Sequence, residues 1–87
     1  MNPILDQSAV VAVLREILGP ERIDAAIAAA DLIEEGHLDS FGLVEFAAHL
    51  EARFGLVIPP DAIGPPAFST LVGITALCRR LKNHDGA

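Results

Sequence analysis

The sequence predicts an all-α domain, a small bundle of three main helices plus short helical turns. Three stretches carry apolar residues at helical spacing, the first two bounded by a capping residue and a glycine stop and the last opened by Ser69 or Thr70. One apolar triplet, Leu56-Val57-Ile58, could pass for a strand, but no other segment reads as its pairing partner. The chain has 87 residues, which is one domain by length, 1–87.

The first helix is expected over residues 8–18. Val10, Val13, Leu14 and Ile17 fall at i, i+3, i+4 and i+7, one face of a helix. Ser8 is the expected N-cap and Gly19-Pro20 the stop. Residues 21–36 read differently. Their alanines favour helix by propensity, but Asp24, Ile27 and Leu32 give no strong apolar face. A long connection with one or two helical turns is expected there, anchored to the core by Leu32 and Ile33.

The second main helix starts at Asp39-Ser40. Leu43, Phe46, Leu50 and Phe54 form its stripe, and Gly55 follows in the position that favours a left-handed C-cap. Leu56 to Pro60 should be an extended loop, with a single turn at Asp61-Ala62-Ile63 and a stretch stiffened by Pro65 and Pro66. The last helix is expected over 70–81, capped by Ser69 or Thr70. Leu71, Ile74, Leu77, Cys78 and Leu81 line its inner face, and Arg79, Arg80 and Lys82 stand in its last turn. Residues 1–7 and 83–87 should be flexible ends.

Composition narrows the function. The net charge is −6, so binding to nucleic acid phosphates is not expected, and partners should carry basic patches. The one cysteine, Cys78, cannot form an intramolecular disulfide, and its place on the apolar stripe suggests a buried structural role. No basic-then-apolar leader and no apolar run near the ~20 residues of a membrane span are present. A soluble, cytoplasmic protein is expected.

Conventional catalytic constellations are weak. His37, His49 and His84 have no metal-ligand spacing with Cys78, and the acids Asp31, Glu34, Glu35 and Asp39 lack the calcium-loop pattern. No enzyme activity and no metal site is expected. Ser40 stands apart. It opens the best-defined helix, where free backbone N–H groups and the helix dipole favour an attached anion. Local physics alone favours Asp39 or Ser40 as no more than a cap.

The segment Asp31-Leu32-Ile33-Glu34-Glu35-Gly36-His37-Leu38-Asp39-Ser40-Phe41 resembles the attachment segment of acyl carrier proteins, in which Asp-Ser-Leu follows a glycine-containing acidic loop. Val44-Glu45-Phe46 and Leu50-Glu51-Ala52-Arg53-Phe54-Gly55 resemble that family's second helix, and Thr70-Leu71-Val72-Gly73-Ile74 the start of its last. The likeness runs over about 31–81, with a compatible first helix. It implies a four-helix bundle and a 4'-phosphopantetheine arm moved from coenzyme A onto Ser40 by a phosphopantetheinyl transferase, with Asp39 beside the attachment point. The arm's thiol would hold an acyl or aminoacyl unit as a thioester, and the protein would do no chemistry itself. A loading ligase or transferase and downstream biosynthetic enzymes would be its partners, and a free-standing monomer is the simplest form. Two cargoes compete, a small or medium acyl unit of polyketide-like metabolism and an aminoacyl unit of the D-alanyl type. The competing class is a helical interaction module with no prosthetic group.

The chain departs from the family pattern at Phe41, where leucine is usual, a change expected to bear on partner or substrate preference. The second helix is also less acidic, because His49 and Arg53 dilute Glu45 and Glu51. Still, residues 31–52 hold six acids and no Lys or Arg, a charge imbalance that would steer basic partners toward Ser40. Glu45 and Glu51 are the expected docking acids on the helix, with Phe41 beside them. Phe41, Leu43 and Val44 are expected chiefly as core, with lining of an acyl pocket as the alternative, and Glu34 and Glu35 as solvated loop acids.

Overall fold

The computed structural model describes residues 5–85, with side chains described through residue 82. Four α-helices and one short 3-10 turn make the fold: α1 (Gln7–Leu18), α2 (Ile23–Ala28), α3 (Ser40–Phe54), the turn Pro60–Ala62, and α4 (Leu71–Asp85). The described residues contain no strand, so Leu56-Val57-Ile58 is an extended loop as expected. Its alternation is real nonetheless, since Leu56 and Ile58 are buried while Val57 faces out.

Helix α1 is the central element and touches α2, α3 and α4. It buries Val10, Val13, Leu14 and Leu18, with Ile17 half-buried beside them. The cap differs from the sequence expectation. Asp6, not Ser8, stops the N-terminus, its Oδ1 accepting the Ala9 N–H at 2.9 Å. Both residues precede the same apolar run, and the carboxylate two positions earlier starts the helix at Gln7, about half a turn sooner. Gln7 therefore belongs to α1 rather than to a flexible end.

Helix α2 is six residues long and buries only Ile23 and Ala26, while Ile27 stays exposed. Leu32 is fully buried and Ile33 packs against the core, as their anchoring role requires. The core centre is Phe46 of α3 set edge-on against Phe68, with centroids 6.0 Å apart at 89°, the arrangement ring quadrupoles prefer. Cys78 lies in this core with no exposed surface, and burial pushes its thiol up to about 11.

Helix α4 runs to Asp85, longer than the 70–81 expected. Thr70 is its capping side chain, its Oγ1 accepting the Gly73 N–H at 3.0 Å. Gly73 is needed for space: a Cβ there would stand 2.8 Å from the Ala67 carbonyl oxygen. Arg79 and Lys82 are not last-turn cations of their own helix. Lys82 Nζ donates to the Phe54 carbonyl at 2.8 Å, and Arg79 Nε donates to the Leu5 carbonyl at 2.8 Å. Of the ends expected to be flexible, residues 1–4 and 86–87 lie outside the described residues. No helix of the described residues is long and apolar enough to cross a membrane.

Candidate functional site

The segment that leads into α3 is built by its own acids. Asp31 Oδ1 accepts the N–H groups of Ile33 and Glu34 at 3.0 and 2.9 Å, and Glu35 Oε2 accepts those of Ala30 and Asp31 at 2.9 and 3.1 Å. Glu35 is thus a backbone acceptor, not the purely solvated acid expected, and its Oε1 lies 3.8 Å from His37 Nε2. The Leu32 carbonyl accepts from His37 and Leu38, and the Leu32 N–H donates to Ser69 at 2.7 Å. Buried Leu32 and Leu38 pin this loop from below, and Gly36, at φ 80°, supplies the left-handed step between them.

The chain then enters α3 through Asp39, whose Oδ1 accepts the Gly42 N–H at 2.7 Å. Gly42 allows this approach, since a Cβ there would stand 3.2 Å from that same oxygen. Asp39 takes the cap, so the Ser40 hydroxyl is not spent on it. Ser40 is the exposed first residue of a 15-residue helix, at the end where unpaired N–H groups and the dipole favour negative charge. An exposed hydroxyl at a rigid helix start fits a covalently attached phosphodiester.

Around Ser40 the expectations divide. Leu43 packs against the core, but Phe41 is 76% exposed and Val44 62% exposed, so neither is core. They leave an apolar surface immediately after the serine, with exposed Glu45 next to it. Glu51 is elsewhere, more than two turns along α3. It is half-buried, and its Oε2 accepts the Ile58 N–H at 2.7 Å, so it organises the loop beyond the helix.

On its α1 side the start of α3 borders a hollow of about 160 Å³, lined by Ile17 and Leu18 of α1, Arg22, His37, Asp39, Phe41 and Glu45 among others. Ile17, Leu18 and Arg22 carry no sequence signal for this place, because only the fold brings the α1–α2 turn to the start of α3, whereas His37 stands three residues before Ser40. A second, wider depression lies further along α3, between Glu16 and the residues Ala48, His49, Ala52 and Arg53. There Arg53 is paired with Glu16, and His49 Nδ1 lies 3.7 Å from the same carboxylate. The Arg53 hydrogen bond outweighs slight desolvation and holds Glu16 below its ordinary value.

Comparison with curated proteins and with solved structures returned no match. The family model for the phosphopantetheine attachment site matches residues 8–81, which takes in α1, the acidic loop, Ser40 with all of α3, and most of α4. A helical bundle that presents an exposed serine at a capped helix start, matched along nearly its whole length, belongs to the phosphopantetheine attachment site family, whose members carry 4'-phosphopantetheine covalently.

Proposed function

We propose that Ser40 is the attachment residue and that the chain is an acyl carrier protein, non-catalytic in itself, serving a biosynthetic pathway. The observation that carries this is the division of labour at the start of α3: Asp39 caps the helix and Ser40, next to it, keeps a free and exposed hydroxyl. On modification a phosphopantetheinyl transferase would join Ser40 Oγ to the phosphorus of coenzyme A. The pyrophosphate bond breaks, adenosine 3',5'-bisphosphate leaves, and the serine proton passes to a base of the transferase. When bound, the arm supplies a thiol that carries the acyl or aminoacyl cargo as a thioester. The protein's own residues hold the attachment point rigid and exposed, and they present a surface to the enzymes that load and unload it.

That surface is the outer side of α3. Phe41 and Val44 provide apolar contact, and Glu45 and the outer oxygen of Asp39 provide charge for a basic partner. Glu51 contributes less, because its carboxylate is held by the Ile58 N–H. Intact mass spectrometry after incubation with coenzyme A and a broad-specificity transferase tests the assignment. One added phosphopantetheine is expected, and none in Ser40→Ala. Thiol labelling gives a second readout, since Cys78 is closed off and raised to about 11: the native unmodified protein should label negligibly and the modified one at one site. Modification that persists in Ser40→Ala would overturn the assignment.

A further inference from the structure

We infer that the hollow between the α1–α2 turn and the start of α3 is a resting site for the pantoyl part of the phosphopantetheine arm. This rests on the attachment at Ser40. The two chain neighbours of Ser40, Asp39 and Phe41, both line the hollow, so an arm on that serine starts at its rim. The arm is a flexible chain of single and amide bonds, and it reaches the hollow by folding back over Phe41. Tethering raises its local concentration there to the millimolar range typical of short flexible linkers, so even a weak site fills.

The lining suits that group chemically. Ile17, Leu18 and the exposed Phe41 ring offer apolar surface to the geminal methyls, which would otherwise stay in water. Arg22 donates to amide carbonyls, and the carboxylates of Asp39 and Glu45 accept from the amide N–H and the hydroxyl. At about 160 Å³ the hollow is well below the ~300–1,000 Å³ of drug-sized sites, so it holds part of the arm and leaves the thiol and its cargo outside. The site lies on the α1 side of α3, so an arm resting there covers the Phe41 contact that a partner enzyme would use. Docking and resting therefore compete for the same ring.

The test uses isotope-labelled full chain, modified enzymatically and checked by intact mass. Nuclear Overhauser contacts from the arm's geminal methyls to the Ile17 and Leu18 side chains are expected. They should be lost in Arg22→Ala, an exposed position whose variant is expected to keep the apo spectrum outside the α1–α2 turn. Glu45→Gln, also exposed, should weaken them when compared in protein whose intact mass shows the arm attached. A full mass gain with arm resonances that contact no residue of α1 overturns the resting site and leaves the carrier reading intact. Contacts that persist unchanged in both variants overturn the polar roles given to Arg22 and Glu45. Absence of any mass gain overturns the attachment at Ser40 and the resting site with it.

Discussion

The two ends of α3 are finished by opposite chemistry. At the serine end, carboxylates accept from backbone N–H groups: Asp31 and Glu35 shape the loop, and Asp39 caps the helix. At the far end, a cation donates to a backbone carbonyl, Lys82 to Phe54, beside Gly55 in the left-handed C-cap conformation. Asp39 and Lys82 each complement the α3 dipole, and the side chains at the two ends are drawn from different distances. The acids act within five residues of their partners, whereas Lys82 lies 28 residues from Phe54. The serine end is built locally and left open. The far end is closed by tertiary packing. The acidic cluster beside Ser40 is therefore partly scaffolding, since Asp31, Glu35 and Asp39 each commit an oxygen to backbone N–H groups.

The largest blow to the serine end should come from behind it. Gly73→Ala places a Cβ 2.8 Å from the Ala67 carbonyl, a backbone atom that cannot swing away. The Ala67–Thr70 loop must shift, and with it the Ser69 carbonyl that receives the Leu32 N–H. A loss of about 1–3 kcal/mol is expected by denaturant titration, the usual cost of overpacking. A loss near zero would mean that the two loops move independently. Next come the caps. Asp39→Ala should cost about 1 kcal/mol, while Ser40→Ala, which removes no cap, should leave stability within about 0.5 kcal/mol. Equal losses in the two variants would assign capping to Ser40 and break the division of labour.

Much of this was legible in the sequence. The limits of α3 were, because Asp39, the Phe46–Leu50–Phe54 spacing and Gly55 all act within one helical turn of where they stand. Ser40 as the exposed first residue followed from the same signals. What the sequence hid was tertiary. Lys82 reads as a cation for its own helix end, and nothing local says that it reaches Phe54. Glu51 reads as a free docking acid until the chain returns to place the Ile58 N–H against it. Phe41 and Val44 read chiefly as core by residue type, with Phe41 also expected beside the docking acids; periodicity argues against a core place for Phe41, which lies five residues before buried Phe46, about 140° around the helix from it. The hollow beside Ser40 was not readable, because it needs the α1–α2 turn brought against α3.

The smallest effect sharpens the comparison by its pH dependence. Glu16 tethers α1 to the far half of α3 through Arg53, with His49 close to the same carboxylate. All three side chains are well exposed, so solvent screens the pair and little stability is at stake. The sign is nonetheless fixed. The folded state lowers the Glu16 pKa below its ordinary value of 4.5, so its contribution is fully present above that pH and is lost as the pH falls through the lowered value. Glu16→Gln should therefore lower the melting temperature slightly at pH 7 and not at all in strong acid, where the wild-type carboxyl is also neutral. High salt should shrink the difference at pH 7. Asp39→Ala should behave differently in salt, because removing a cap takes away a short directional hydrogen bond and not only a charge. If both variants lose their effect together as salt rises, the serine end is held by charge alone, and the distinction between a directionally bonded end and a screened far flank fails.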